Sequence, residues 1–343
     1  MRAAVQRRFG GPDAVEVVEV DDPRPGPREV VVAVRAAALN RLDVLQREGP
    51  ALIPGFALPH IAGMDVAGEV VEVGAEVDSV RTGARVVVDP AIRCGSCEAC
   101  TRGDDALCGA TLVVGGNRPG GFAERVVVPA TALHPVPEGV DLVHAAAVPT
   151  AYSTAWKAVI VTARPRLGEW IMIHAAGSGV STAAIQLAKR AGCLVLATAG
   201  SEAKLEAAKR LGADHVVNNR TDDVVAAARE ATGGRGVDIV FDHVGPALFQ
   251  ASLLALRPRG RLVFCGSTTG TEATFSLPHA YQSGMQLLGA GGYGRADFAD
   301  MLAYVWRAGL EPVIDSVHPL DDIAGAQHRM ERGDAIGKVV VTP

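Results

Sequence analysis

Aromatic side chains are scarce in this chain, making up 4% of its 343 residues. Surfaces that hold single-stranded nucleic acid stack successive bases on aromatic rings, so this scarcity argues against such a partner. Positive charge is not in excess either. The formal net charge of -5 gives neither a polyanion nor an anionic membrane a reason to bind. No run of about 18 apolar residues occurs, so no transmembrane helix is expected. The first residues, Met1-Arg2-Ala3-Ala4-Val5 and then Gln6-Arg7-Arg8, lack the apolar h-region of a secretory signal, and a cytoplasmic location is expected. Cysteine is sparse and uneven. Of the six, four crowd between Cys94 and Cys108, while Cys193 and Cys265 lie far away in apolar runs. A secreted disulfide framework would spread its cysteines; a crowded cluster in an intracellular chain reads as metal binding.

What is present is an ordinary globular composition, 48% hydrophobic and 21% charged. The length exceeds what one hydrophobic core usually holds, so two domains are expected. Two styles of sequence appear. The first part carries short β-branched runs such as Glu29–Val34, Gly68–Gly74 and Gly83–Val88, punctuated by Pro23, Pro25, Pro27, Pro50, Pro54 and Pro59. Near residue 148 the style changes. Val148–Val159 reads as a linking helix, and strands around 169–174, 194–198, 216–217, 237–242 and 261–265 alternate with helices. That alternation predicts a parallel sheet covered on both faces.

The strand ending at His174 runs into Ala175-Ala176-Gly177-Ser178-Gly179-Val180-Ser181 and then a helix. A dinucleotide pyrophosphate needs small residues there, because the backbone must approach it and the helix start supplies free N–H groups. NAD sites usually place Asp or Glu about 20 residues further on, against the ribose hydroxyls. Here the second strand ends Thr198-Ala199-Gly200-Ser201-Glu202-Ala203-Lys204, with alanine in the carboxylate's place. Ser201 and Lys204 suit a 2′-phosphate, so NADPH is expected ahead of NADH. The same residues also suit plainer duties, Ser201 as a helix cap and Lys204 as a solvated cation, and the two roles can coexist.

Cys94, Cys97, Cys100 and Cys108 form a C-x2-C-x2-C-x7-C pattern. Four thiolates from one short loop close a tetrahedron around one Zn2+ with no open position, which is the signature of a structural site.

Together these segments resemble the medium-chain dehydrogenase/reductase superfamily of alcohol dehydrogenases and quinone oxidoreductases. The resemblance spans nearly the whole chain and includes Ala38–Asp43, Gly63–Gly68, the cysteine lobe, Ala175–Ser181 and Gly337–Val340. It is nearest to the quinone oxidoreductase-like, zinc-binding branch. It implies an α/β protein: a GroES-like β-rich catalytic domain over 1–147 and 289–343, with a structural-zinc lobe at 90–110, and a doubly wound parallel-sheet Rossmann domain over 148–288. It also implies sites. Alcohol dehydrogenases hold a catalytic zinc with two Cys and one His beside a Glu; at those places this sequence has Asn40, about Ala146, Met64 and Asp65. The resemblance therefore implies a structural zinc without a catalytic one.

Without a Lewis acid a simple ketone is a poor hydride acceptor, whereas quinones and α,β-unsaturated carbonyls delocalise the charge they receive. The expected activity is hydride transfer from NADPH to a small apolar carbonyl or quinone, driven mostly by orientation and desolvation. By resemblance the catalytic candidates are Asn40, Asp43, Asp65 and Thr150. Asn40 suits a hydrogen bond to the substrate oxygen or, equally, a structural amide; Asp43 and Asp65 suit holding the loop around it. Cofactor candidates are Thr150, Gly177, Ser178, Gly179, Val180, Ser181, Gly200, Ser201, Lys204, Val244, Gly266, Ser267 and Lys338. His60 and Tyr152 are weaker candidates as acids, and Leu45 stands where some relatives carry a tyrosine. Leu45, Ile53 and Tyr293 suggest an apolar pocket. Three other readings stay open: an NAD(P)-dependent alcohol dehydrogenase, a non-catalytic NADPH-binding protein like the family's crystallins, and an acyl-thioester enoyl reductase. The resemblance also implies a homodimer or homotetramer, because members of this family usually pair Rossmann sheets edge to edge, and Arg261–Cys265 through Leu287–Ala290 suit such edges.

Overall fold

Valine and alanine, packed on pleated backbone, build the first part of the chain, while alanine- and leucine-rich helices alternate with strands in the second. The computed structural model describes residues 1–50 and 52–343, which divide into two units: Met1–Thr150 with Gly294–Pro343, and Ala151–Tyr293. The junctions anticipated at 147/148 and 288/289 thus fall at 150/151 and 293/294.

In the first unit β1 (Arg2–Gln6) pairs with β2 (Val15–Glu19). Next, β3 (Glu29–Ala38) leads through Leu39 and Asn40 into α1 (Arg41–Glu48). The short β4 (His60–Ile61) joins β1, and β5 (Asp65–Val73) lies between β3 and β6 (Arg85–Val88). The cysteine lobe comes next: β7 (Ala91–Ile92), the one-turn α2 (Glu98–Thr101) and β8 (Leu112–Val113), with β7 paired to β8. Then β9 (Arg125–Pro129) returns to β3, β10 (Leu133–Pro135) to β6, and α3 (Leu142–Ala146) closes the segment.

α4 (Pro149–Ala155) carries the chain past the first junction and continues as a π-helix, Trp156–Ala163. The linking helix expected over Val148–Val159 is thus longer and changes its hydrogen-bond period midway. The second unit continues with β11 (Trp170–Ile173), α5 (Gly179–Arg190), β12 (Leu194–Ala199), α6 (Glu202–Arg210), β13 (His215–Asn218) and α7 (Val224–Ala231). Its second half has β14 (Val237–Asp242), α8 (Pro246–Ala255), β15 (Leu256–Phe264), α9 (Leu277–Ser283) and β16 (Gln286–Gly289). All six strands are parallel, in the order β13-β12-β11-β14-β15-β16. Counted within the unit, that is the 3-2-1-4-5-6 order of a doubly wound sheet. The order in which strands are added reverses between β11 and β14, where such sheets bind their ligands beyond the carboxyl ends of the strands. Of the two segments expected at sheet edges, only β16 is one; Arg261–Phe264 belongs to β15, paired on both sides.

The chain then rejoins the first unit through α10 (Arg295–Ala308), β17 (Ile314–Pro319), α11 (Ile323–Glu331) and β18 (Lys338–Thr342). β18 pairs with β3, placing Val340 opposite Ala38, so the last strand completes a sheet begun by the third. Among the described residues no helix is long and apolar enough to cross a membrane.

The core of the first unit gathers Val30, Val32, Val66, Val126, Val339 and Phe122, the last only 1% exposed. Phe122 takes a backbone hydrogen bond from Ala4 and gives one to Ala62, just before the segment that carries Met64 and Asp65. Replacing Phe122→Ala is expected to destabilise this unit by about 3–5 kcal/mol, the cost of emptying a buried aromatic site. Chemical denaturation followed by circular dichroism checks this.

Candidate functional site

Sheet register assembles the first group of polar residues. Ala38 faces Asp65 on β5 and Val340 on β18. The residues flanking these positions, Asn40 after β3 and Lys338 at the start of β18, therefore meet Asp65. Its carboxylate is fully buried, and such a charge must be compensated locally. It accepts from Lys338 Nζ at 2.9 Å, Asn40 Nδ2 at 3.0 Å, Thr150 N at 3.0 Å and Thr150 Oγ1 at 2.5 Å. Lys338 Nζ also donates to Asn40 Oδ1 at 2.7 Å. Asn40, Asp65, Thr150 and Lys338 thus form one closed network inside the first unit.

Asp43 lies beneath it. As the third residue of α1 it accepts from Asn40 N at 2.7 Å and Gly63 N at 3.2 Å, tying the helix start to the segment before Asp65. Burial pushes the Asp43 carboxyl up to about 7, against the pull of those two N–H groups and of Lys338.

This geometry constrains the roles expected from sequence. The Asn40 amide nitrogen is committed to Asp65 and, more loosely, to Ala38 O at 3.4 Å, while its oxygen takes the lysine ammonium. Both ends of its amide are thus engaged in the network. His60 is 6% exposed and faces Gly115 O at 2.9 Å; burial holds its pKa below the ordinary histidine value. It fastens a loop rather than supplying a proton. The Tyr152 hydroxyl accepts from Gln186 Nε2 at 3.0 Å and is buried in the second unit. Leu45 on α1 and Ile53 belong to the first unit, Tyr293 to the second.

The cysteine lobe brings its four sulfurs within 4.8 Å of one another. Cys94 Sγ stands 3.9 Å from Cys100 Sγ and 3.6 Å from Cys108 Sγ. A tetrahedron with Zn–S bonds near 2.3 Å has edges of about 3.8 Å, so these thiols fit one zinc ion. Backbone N–H groups of Ser96 and Cys97 draw the Cys94 thiol down to about 6, which favours the thiolate that binds metal. Asp105 of the lobe is held by Arg295 at the start of α10, Nε to Oδ2 2.8 Å.

In the second unit β11 ends at a turn in which Ala175 takes a left-handed conformation, φ 50°, a strained choice for a residue with a side chain. Ser178 caps α5, accepting from Ser181 N at 3.0 Å. The first turn of α5 leaves its N–H groups facing this bend, suited to an anion. Lys204 lies across Gly177, where an added methyl would stand 2.7 Å from the lysine chain. Ser201 occupies the N-cap position of α6 but its side chain makes no capping bond, which corrects the capping role considered for it. Arg220, two residues past β13, lies over Gly200, its Nε 2.6 Å from where a methyl would be. Sequence reading missed Arg220. Its signal was indirect: β13 pairs with β12, Asn218 facing Ala199, so the loops leaving these two strands lie side by side. The loops after β14 and β15 also meet, Thr268 Oγ1 donating to His243 O at 3.0 Å and Thr269 N to Val244 O at 2.9 Å. Val244, Gly266 and Ser267 therefore lie at the same end of the sheet as Gly177–Ser181 and Gly200–Lys204.

Both the cysteine lobe and Asp43 can be probed in solution. Elemental analysis is expected to find one zinc per chain, lost on Cys97→Ser or Cys108→Ser; two zincs would show that another ligand set exists. For Asp43, a raised folded-state pKa means the folded protein holds its proton more tightly than the unfolded chain. Its contribution to stability is complete below about pH 4 and lost as pH rises through about 7. Asp43→Asn is expected to remove that slope and, by setting an amide N–H against a backbone N–H, to cost about 1–3 kcal/mol. Denaturant titrations at pH 4 to 8 measure both.

Comparison with known proteins now places the chain. The profile of the alcohol dehydrogenase GroES-like domain matches residues 26–138, and that of the zinc-binding dehydrogenase family matches residues 179–307. An NAD-dependent alcohol dehydrogenase of Sulfolobus acidocaldarius is 30% identical, with 99% of each chain covered. An acryloyl-coenzyme A reductase of Sulfurisphaera tokodaii is 29% identical over 97% of this chain and 98% of its own. The crystal structure of an NAD-dependent alcohol dehydrogenase superposes with a TM-score of 0.96 at 41% identity, covering 100% of both chains. With a GroES-like unit, a doubly wound unit and relatives over its full length, this chain belongs to the medium-chain dehydrogenase/reductase superfamily of oxidoreductases.

Proposed function

We propose that this oxidoreductase transfers hydride from NADPH to a quinone or an α,β-unsaturated carbonyl, with zinc confined to the cysteine lobe. One observation carries the reading: the Lys338 ammonium is bound between Asn40 Oδ1 and Asp65 Oδ2. These residues stand where zinc-dependent relatives gather metal ligands, and the lysine already supplies the positive charge that Asp65 requires. An amide, the Met64 thioether and the Ala146 methyl do not make a strong zinc site. The bound reduced nicotinamide supplies the hydride. The protein's own share is to fix geometry: Asp65 holds Thr150 and Asn40 in place, Lys338 neutralises Asp65, and buried surroundings exclude water. Conjugated acceptors suit such a site because they spread the incoming charge themselves. With Leu45 in the place of a tyrosine, the proton that joins the product after hydride transfer comes from solvent.

NADPH is preferred because β12 ends in Ala199 rather than a carboxylate, and two cations, Lys204 and Arg220, lie over Gly177 and Gly200. An acyl thioester of an unsaturated acid falls within the proposed substrate class, and the relative named acryloyl-coenzyme A reductase supports including it. The second reading is oxidation of an alcohol with NAD, favoured by the name of the Sulfolobus relative. We place the subunit in a homodimer joined along the β16 edge.

Steady-state rates with NADPH and NADH against quinones, enones and unsaturated acyl thioesters, and with both oxidised cofactors against alcohols, separate the readings. Conjugated acceptors with NADPH are expected to give the highest kcat/KM. Lys204→Ala and Arg220→Ala are each expected to raise KM for NADPH about tenfold while leaving that for NADH nearly unchanged, since each removes a charge-assisted hydrogen bond. Faster alcohol oxidation with NAD would overturn the proposal.

A further inference from the structure

A hydroxyl group donates a single hydrogen, and that limit orients the polar groups where the parallel sheet reverses. Ser181 Oγ lies 2.7 Å from His174 O; a carbonyl cannot donate, so the serine hydrogen points there. The same Oγ lies 2.8 Å from His243 Nε2. With its hydrogen committed, Ser181 can only accept, so Nε2 must carry the hydrogen of that contact. Burial holds the His243 pKa below the ordinary histidine value, against the pull of the Asp242 charge and of the residue's own backbone carbonyl. Whatever the charge of the ring, the Ser181 contact puts a hydrogen on Nε2, and in the neutral ring that is the Nε2–H tautomer.

The consequence falls on Ser178. Its Oγ accepts from Ser181 N at 3.0 Å and lies 3.3 Å from the same His243 Nε2. Because that nitrogen is protonated, it cannot accept the Ser178 hydrogen. The hydroxyl must point its hydrogen away from the imidazole, at the first turn of α5, beside the helix N–H groups. The three residues come from the two segments that flank the reversal point: Ser178, the N-cap, and Ser181, in the first turn of α5, follow β11, and His243 lies in the loop after β14. In a G-x-G-x-x-G spacing the second and third glycines would fall on Ser178 and Ser181, so two hydroxyls replace two hydrogens here.

We propose that His243 is a positioning residue for the cofactor: its Nε2–H, shared between Ser181 and Ser178, turns the Ser178 hydroxyl outward as a donor to the dinucleotide pyrophosphate. This rests on the turn before α5 being the cofactor's phosphate site. It adds a hydrogen-bond donor aimed by a side chain to the backbone donors that any such turn supplies. His243 acts through Ser178 and needs no contact with the cofactor itself.

Two measurements test it. In the cofactor-free protein labelled with 15N-histidine, long-range 1H–15N spectra are expected to show His243 as the Nε2–H tautomer, its signals identified by their loss in His243→Gln. A Nδ1–H tautomer would overturn the proposal whatever the cofactor. The second is NADPH affinity, from titration of the dinucleotide's fluorescence with variants shown to be folded by circular dichroism. His243→Phe and Ser178→Ala are each expected to weaken binding about tenfold, as for loss of a hydrogen bond to a charged group. The double variant should bind no more weakly than either single one, and His243→Gln, which keeps an N–H donor, should bind nearly as the parent does. Additive losses, or a His243→Phe variant that binds normally, would overturn the positioning role. A parent protein that binds neither NADPH nor NADH would overturn the phosphate-site reading, while the tautomer spectrum would still decide the orientation of His243.

Discussion

The ion pair between Lys338 and Asp65 joins the end of the chain to its beginning. Both side chains are almost fully removed from water, 6% and 0% exposed. A buried carboxylate left without its cation costs about 3–5 kcal/mol. The pair can form only if β18 lies beside β3 with Val340 opposite Ala38, because that register sets Lys338 against Asn40 and Asp65. The same carboxylate then takes both donors of Thr150, the last residue of the first segment before the second unit begins. The strand register, the loop around Asn40 and the approach to the junction depend on this one charge being satisfied.

Such a network has a chemical consequence. A lysine is a fixed single charge that cannot take a substrate oxygen into an open coordination position as zinc can. The residues around Asp65 are therefore suited to holding shape rather than to strong polarisation. The cysteine lobe is separate in kind. Its four thiols fit a closed tetrahedral site, and the Asp105–Arg295 pair ties the lobe to α10. A metal ion held there would support a loop with little regular structure.

In the second unit a buried network performs the corresponding task. His174 is fully buried and neutral, its pKa pushed down to about 4 by burial. It joins Thr198 Oγ1 at 2.8 Å to Ser252 Oγ at 2.9 Å, and the Ser252 hydroxyl lies 3.1 Å from Asp242 Oδ2 and 2.9 Å from Leu248 O, the two acceptors sharing its one hydrogen. Asp242 in turn accepts the backbone N–H groups of Val244 and Gly245, fixing the loop that carries His243. Ends of β11, β12 and β14 are thereby pinned to α8, and the turn before α5 has little freedom. A turn built this way presents its hydrogen-bond donors already oriented.

Much of this was readable in the sequence because the signals were local. The C-x2-C-x2-C-x7-C spacing fixes four ligands within one loop. The alternation of apolar strands with alanine-rich helices fixes a parallel sheet, and the small residues from Gly177 to Ser181 mark the turn between its first strand and α5. Asn40, Met64 and Asp65 could be compared with metal-binding relatives one position at a time. Tertiary structure decided what depends on partners distant in the chain. Asn40 suited a substrate contact or a structural amide equally, and Asp65 and Lys338, 25 and 298 residues away, engage the nitrogen and oxygen of its amide. Arg220 carried no motif and gained a place only because β13 lies beside β12. His243 was one residue in a loop until the sheet set it against two serines 62 and 65 residues earlier. The physical reason is the same in each case. Spacing along the chain fixes which groups a turn or helix presents, while the direction of a hydrogen bond depends on which distant partner is already using the other donor or acceptor.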